Sequence, residues 1–284
     1  MRFVAYVVDG GTMIGVEEGD DLVGLCRLDE FYAEPDRWRA TAPAGARTPL
    51  ADVRRVPPVP TVSKIFYLGL NYQAHIDEMA APGRERPPAP NIFARWYASL
   101  SCHDDTIPVP GGEPGLDWEC ELGVVIGRTM TAVPAGEAMA GVLGYTAFND
   151  ISARTHQRLT PQWALGKNAD GSGAIGPHVV TADEFGDPYG RSIETRVNGE
   201  VMQSSTTDRM LFRIDETIAF ISQVVTLRPG DVIATGTPEG VGAGRTPPVF
   251  MTDGDVCEVR IEGIAPLRTR VGSGFGWAAA RPGA

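Results

Sequence analysis

Asp117-Trp118-Glu119-Cys120-Glu121-Leu122-Gly123-Val124-Val125-Ile126-Gly127 is the stretch on which the reading of this chain turns. Taken as a strand it alternates, with Cys120, Leu122, Val124 and Ile126 on one side. Glu119 and Glu121 point to the other side, with Gly123 and Gly127 beside them. Acids at i and i+2 on one strand face lie roughly 6–7 Å apart by strand rise. If both are ionised and sheltered from water they repel, so either one holds a proton or the two share a cation. A hard divalent ion suits such oxygen donors and usually keeps positions open for a substrate. The alternative is a solvent-facing Glu-x-Glu pair on an edge strand. The stretch alone leaves both readings open.

Upstream, Ile65 to Leu70 reads as a buried strand, followed by a short helical stretch from Asn71 to Met79. Downstream, Val142 to Phe148 reads as a strand ending at Asn149-Asp150. A helix is expected across Ile151 to Arg158, with Asp150 or Ser152 near its cap. Asn198-Gly199 between Val197 and Val201 signals a hairpin. Ile214, Ile218, Ile221 and Val225 recur at helical spacing and read as one core-facing helix. Pro229-Gly230-Asp231 turns into a strand at Val232 to Thr235, and Val256 to Ile261 forms another.

Residues 1–58 read as a small β module and linker. Arg2 to Val8, Thr12 to Glu17 and Leu22 to Cys26 are its strands, and Thr41 to Pro60, rich in Pro, Ala and Arg, is the linker. Residues 59–274 form the larger unit, in which Pro82 to Pro90 reads as a mobile loop. Residues 275–284 are expected to fray. Many short strands, few helices and no regular βαβ repeat predict a β-rich α+β fold.

The chain has 284 residues, 43% hydrophobic and 21% charged, with a net charge of -11. That charge argues against nucleic acid as a partner, because phosphate binding needs a concentrated basic surface. Cys26, Cys102, Cys120 and Cys257 are scattered without a Cys-x-x-Cys pair, so structural zinc and a disulfide framework are both unsupported. With no charged start followed by an apolar stretch and no run of spanning length, no membrane association and a cytoplasmic location are expected. Lysine occurs only at positions 64 and 167, which singles out each one.

Four further segments carry groups suited to chemistry. In Gly69-Leu70-Asn71-Tyr72-Gln73-Ala74-His75-Ile76-Asp77-Glu78-Met79, His75 and Glu78 at i and i+3 share a helix face. A carboxylate beside an imidazole fixes its tautomer and raises its basicity, as a general base requires; an ordinary surface pair is the alternative. Asp150, at a strand end, is a candidate third oxygen ligand or a helix cap. Gly166-Lys167-Asn168 lies in a glycine-rich segment, but Asn168 stands where a phosphate loop needs Ser or Thr. Thr235-Gly236-Thr237-Pro238-Glu239-Gly240 is a turn whose amides and Thr237 hydroxyl suit a carboxylate, or a plain glycine turn. His-Glu-x-x-His and Gly-x-Ser-x-Gly are absent, and Gly171, Gly173 and Gly176 run into Pro177 rather than a helix, which excludes a dinucleotide loop. His103, His156 and His178 show no metal spacing and read as surface or capping residues.

Together, GLNYQAHIDE, DWECELGVVIG, NDISARTHQ, GKNADGSGAIGP, VNGE, LRPGDVIATGTPEGVG and GDVCEVRIEGIAPLRTRV resemble the fumarylacetoacetate hydrolase family over roughly Ser63 to Gly272. The resemblance implies a catalytic fold of layered mixed β-sheets, a homodimer, and one Mg2+ or Mn2+ per subunit held by Glu119, Glu121 and Asp150, with no organic cofactor. It implies His75 and Glu78 as the base pair and Lys167 and Gln157 as further catalytic groups. Thr237, Arg154, Tyr72 and Arg95 fall at substrate-binding positions, and the substrate is a small 2-oxo acid. The expected activity is metal-dependent hydrolysis of a C–C bond in an acylpyruvate-like β-diketo acid, by way of a metal-stabilised pyruvate enolate. Oxaloacetate-type decarboxylation or enol–keto isomerisation on the same site is the alternative, ahead of a catalytically idle ligand-binding homologue. Two positions depart from the family pattern: Arg95 replaces a common lysine, and Thr155 replaces the aspartate that commonly follows the arginine of NDISAR.

Overall fold

The Cys120–Ile126 strand is buried along its whole length because it runs inside a mixed sheet. It is antiparallel to Val142–Asp150 on one side and to Val232–Ala234 on the other. This computed structural model describes residues 1–79 and 86–273. From edge to edge the larger sheet runs Arg47–Pro49, Asp21–Arg27, Gly11–Glu18, Arg2–Val8, Gly173–Thr181, Val142–Asp150, Cys120–Ile126, Val232–Ala234, Ile65–Gly69, Asn91–Arg95. Leu100–Ser101 adds an eleventh strand beside Gly173–Thr181. The smaller, five-stranded sheet runs Glu200–Thr206, Ser192–Val197, Val256–Ile261, Ile264–Gly272, Thr106–Pro108. The fold is β-rich α+β, as the sequence pattern requires.

The alternation holds, but neither face meets water. Cys120, Leu122, Val124 and Ile126 share one core with Ile193, Val259 and Leu267 of the smaller sheet and with Ile214, Ile218 and Ile221 of the Ile214–Ser222 helix. Val125 belongs to a second core on the opposite face, with Phe3, Phe31, Tyr67, Phe148 and Val232. A one-residue slip of this strand would turn four side chains out of the first core and two glutamates into it. Each lost burial costs about 1.5–3 kcal/mol, and the sum rivals the whole stability of a domain. The register of the carboxylates is therefore fixed by apolar packing. The solvent-facing reading of Glu-x-Glu is excluded, since Glu121 is 1% exposed.

Four expectations need correction. Thr41 to Pro60 is not a free linker: Arg47–Pro49 pairs with Asp21–Arg27, and the Val56 N–H donates to the Ala5 carbonyl. Arg2–Val8 in turn pairs with Gly173–Thr181, so the N-terminal strands extend the larger sheet. The helix after Asp150 is only Arg154–Arg158, and neither Asp150 nor Ser152 caps it. Its first amides, from Thr155 and His156, donate instead to Glu113, at 3.0 and 2.9 Å. His178 is not on the surface; it is 1% exposed, with Nδ1 2.9 Å from Glu17 Oε2.

The hairpin at Asn198-Gly199 forms as expected, with both residues at positive φ. Residues 82–85 of the expected mobile loop and the 275–284 tail lie outside the described residues. Among the described residues no helix is long and apolar enough to cross a membrane.

Candidate active site

Strand pairing assembles the acidic centre. Cys120 lies opposite Asn149 and Glu121 opposite Phe148, so the end of one strand places Asp150 beside Glu119 at the start of the next. The Asp150 N–H donates to the Glu119 carbonyl at 2.9 Å. One carboxylate oxygen from each of Glu119, Glu121 and Asp150 lies within 4.8 Å of the others, and all three side chains are buried.

Three buried cations face these acids. Lys167 Nζ donates to Glu119 Oε2 and Asp150 Oδ2, both at 2.8 Å. Arg95 Nε donates to Asp150 Oδ1 at 2.8 Å, and its Nη2 bonds the same oxygen and the Ile151 carbonyl. Arg154 Nη2 donates to Glu119 Oε1 at 2.6 Å and its Nε to Asp117 Oδ2 at 2.7 Å. Counting Asp117, four buried carboxylates face three cations, a deficit that a divalent ion converts into a surplus.

The acids divide accordingly. Burial pushes Glu119 up, but Lys167 and then Arg154 outweigh it and bring its carboxyl down to about 2. Burial, then Asp150 and Glu119, raise Glu121 well above the usual carboxylate range. One of its oxygens accepts the Gly236 N–H at 2.8 Å. Three converging carboxylates, one of which resists ionisation for want of positive charge, fit a hard divalent cation.

His75 and Glu78 lie on the Gln73–Met79 helix, next to the end of the Ile65–Gly69 strand. His75 Nδ1–H donates to Glu78 Oε2 at 3.2 Å, while Glu78 Oε1 accepts the Gly240 N–H at 2.9 Å. His75 of the dyad and Glu119 of the acidic centre line one cavity of about 310 Å³, whose wall also includes Arg154, Gln157, Lys167 and Thr237. Gln157 Oε1 accepts from Arg154 Nη1 at 2.8 Å, which leaves its amide N–H groups for a ligand. Thr237 Oγ1 accepts from Gln203 Nε2 at 2.8 Å, which leaves the hydroxyl proton to donate.

The profile of the fumarylacetoacetate hydrolase C-terminal domain matches residues 64–272. The chain belongs to the fumarylacetoacetate hydrolase family. It is 42% identical to a mitochondrial oxaloacetate tautomerase of Bos taurus over 225 residues, 78% of this chain and 71% of that protein. It is 40% identical to a 2,4-didehydro-3-deoxy-L-rhamnonate hydrolase of a Sphingomonas strain over 216 residues, 75% of each. Its fold superposes on a 5-carboxymethyl-2-hydroxymuconate delta-isomerase of Mycobacterium smegmatis with a TM-score of 0.79 and 34% identity, covering 96% of this chain and 100% of that one. Members of the fumarylacetoacetate hydrolase family are thus enzymes, with hydrolases, isomerases and tautomerases among the relatives, and they typically use a divalent metal.

The two departures from the family pattern find distinct places. Arg95 is 2% exposed and stands behind Asp150, with Nη1 on Ser172 Oγ at 2.6 Å; it is not part of the cavity wall. It orients a carboxylate of the acidic centre rather than reaching toward a ligand. Beside Thr155, a carboxylate is supplied by Glu113, which also meets His156 Nδ1 at 2.6 Å. Tyr72, expected at a substrate-binding position, lies in the core between the sheets with its hydroxyl buried and without a hydrogen-bond partner among the described residues. It does not line the cavity: it precedes the Gln73–Met79 helix and forms an antiparallel backbone bridge with Met210. Arg154 does line the cavity, but its guanidinium is occupied by Asp117, Glu119 and Gln157.

Asp117, Asn71 and Gln203 were given no role by sequence reasoning. Asp117 is fully buried and accepts N–H groups of Gly242 and Ala243 as well as Arg154 Nε, tying the glycine loop to Glu119. The signal for it is its place two residues before Glu119, which extends the acidic face by one step. Asn71 bonds Phe212 through both ends of its amide and donates to the Thr235 carbonyl. Gln203 steadies Thr237 and also accepts the Cys120 N–H at 3.0 Å. No local pattern marks either, since their partners lie far away in the chain.

Proposed function

We propose that this chain is a divalent-metal-dependent hydrolase that cleaves a C–C bond in an acylpyruvate-like 2,4-dioxo acid. The observation that carries the reading is a cluster of three buried carboxylates, one of which, Glu119, shares a cavity wall with His75 of the His75–Glu78 dyad. A divalent ion held by Glu119, Glu121 and Asp150 would supply positive charge against the negative charge that develops on the 2-oxo end of the substrate.

The protein's own groups account for the rest. Glu78 accepts from Nδ1 of His75, which leaves Nε2 as the basic nitrogen. His75 takes a proton from water, and the water oxygen bonds to the distal carbonyl carbon. Lys167 and the Gln157 amide donate to the oxygen that becomes negative, a contribution of about 3 kcal/mol for a well-placed donor. The C–C bond then breaks, and the proton taken by His75 returns to the released carbon. Thr237 donates a hydrogen bond from its hydroxyl to the substrate carboxylate.

A second reading, keto–enol tautomerisation or decarboxylation of an oxaloacetate-like acid, is favoured by the relatives named as oxaloacetate tautomerases. The same acidic centre serves it, without an attacking water. An assay of pyruvate release from acylpyruvates, beside tautomerisation and decarboxylation of oxaloacetate, separates the readings. Hydrolysis that disappears with chelator and with His75→Ala supports the first. An enzyme fully active without a divalent ion overturns both.

A further inference from the structure

Three cations line the cavity, and two are already committed to the protein's own carboxylates. Lys167 bonds Glu119 and Asp150, and Arg154 bonds Asp117 and Glu119. The third, Arg158, is exposed and has no ion pair or side-chain hydrogen bond among the described residues. It ends the Arg154–Arg158 helix, four residues after Arg154. That spacing puts it on the same face, about 6 Å further along the axis. The same wall also carries apolar side chains. Lys167 Nζ lies 5.6 Å from the Phe93 ring centroid, Phe93 meets Trp163 edge-on at 5.4 Å, and Leu68, Leu70 and Met79 add to the lining.

We propose that Arg158 sets substrate specificity by receiving a second carboxylate at the far end of a 2-oxo diacid. The inference rests on the reading above, in which the 2-oxo end sits at Glu119, Glu121 and Asp150. A chain ending in a methyl group satisfies the apolar lining and leaves Arg158 in water. A chain ending in a carboxylate also gains a charge-assisted, bidentate contact with the guanidinium. An arginine that merely complements the carbonyls at the end of its one-turn helix would not distinguish these ligands.

Calorimetric titration of the Mg2+-loaded protein with two non-reacting acids of equal length, 2-oxoglutarate and 2-oxopentanoate, tests this. The wild-type protein is expected to bind the diacid about tenfold or more tightly. Arg158→Ala should bring the two affinities together by weakening the diacid alone, and Arg158→Lys should restore part of the difference. Mg2+ affinity and the melting temperature should stay at wild-type values, because Arg158 touches neither the acidic centre nor the core. Equal binding by the wild-type protein, or equal weakening of both acids by Arg158→Ala, refutes the role of Arg158 and leaves the 2-oxo acid reading standing. Binding of neither acid removes that reading, and the assignment of Arg158 with it.

Discussion

Glu78 is held by Gly240: its Oε1 accepts the Gly240 backbone N–H at 2.9 Å, while Oε2 takes the proton side of His75. The base dyad is therefore positioned by the glycine loop as well as by its own helix. Gly244 packs against the same side chain, and a methyl group there would overlap Cγ and Cδ of Glu78. A glutamate side chain can swing aside, so Gly244→Ala is expected to fold but to withdraw the carboxylate from His75. Hydrolytic kcat should fall by about 10²-fold, with divalent affinity by calorimetry unchanged. An unaltered kcat would show that Glu78 does not orient the base.

Asp117 links that loop to the acidic centre, and its loss should be felt as stability. It neutralises a guanidinium that is 4% exposed, and it satisfies two loop amides besides. Asp117→Asn leaves Arg154 with Glu119 as its one carboxylate partner. Removing one member of a buried pair costs about 3–5 kcal/mol, visible as a lower urea midpoint. A midpoint equal to wild type would mean that the network is relaxed by water or by rearrangement.

Divalent binding should depend on pH in a definite direction. The Glu121 carboxyl is raised by burial and by its acidic neighbours, so it retains a proton above the usual carboxylate range. Coordination requires that proton to leave, so affinity should rise with pH and binding should release a proton. Titrations in two buffers of different ionisation enthalpy count it. Glu121→Gln should abolish the release, and Glu119→Gln should weaken the ion at every pH. Affinity that is flat with pH, with no proton released, would place Glu121 outside the ligand set.

These predictions separate what the sequence discloses from what it conceals. The Cys120–Ile126 strand and its two faces were legible because a buried strand writes its period directly into the chain. Glu119, Glu121 and Asp150 could be named because two lie on that strand and the third ends a neighbouring one. Helical spacing puts His75 and Glu78 on one face, but only the family resemblance singled them out from an ordinary surface pair. The roles of Arg95 and Arg154 were not legible: an arginine looks the same whether it faces a substrate or an internal carboxylate, and Asp150 lies 55 residues from Arg95. Tyr72 misled for a related reason, since it lies before the Gln73–Met79 helix, bridged to Met210 far along the chain, rather than on the helix with His75.

Glu113 offers the cleanest test of a contact that no local pattern announced. Burial pushes its carboxyl up, but the backbone amide and ring of His156 and the amide of Thr155 outweigh this and hold it below its ordinary value. A carboxylate depressed in the folded state contributes stability above its unfolded pKa of about 4.3, and that contribution disappears as the pH falls through the depressed folded value. Glu113→Gln cannot gain or lose the charge. At pH 7 it should cost about 1.5–3 kcal/mol, the range for hydrogen bonds to a charged group. Its deficit against wild type should then shrink steadily as urea melts are repeated at pH values below 4. Since these amides open the helix that carries Arg154 and Gln157, Glu113→Gln should also raise KM more than it lowers kcat. If the deficit at pH 7 persists unchanged in acid, Glu113 acts through shape rather than charge.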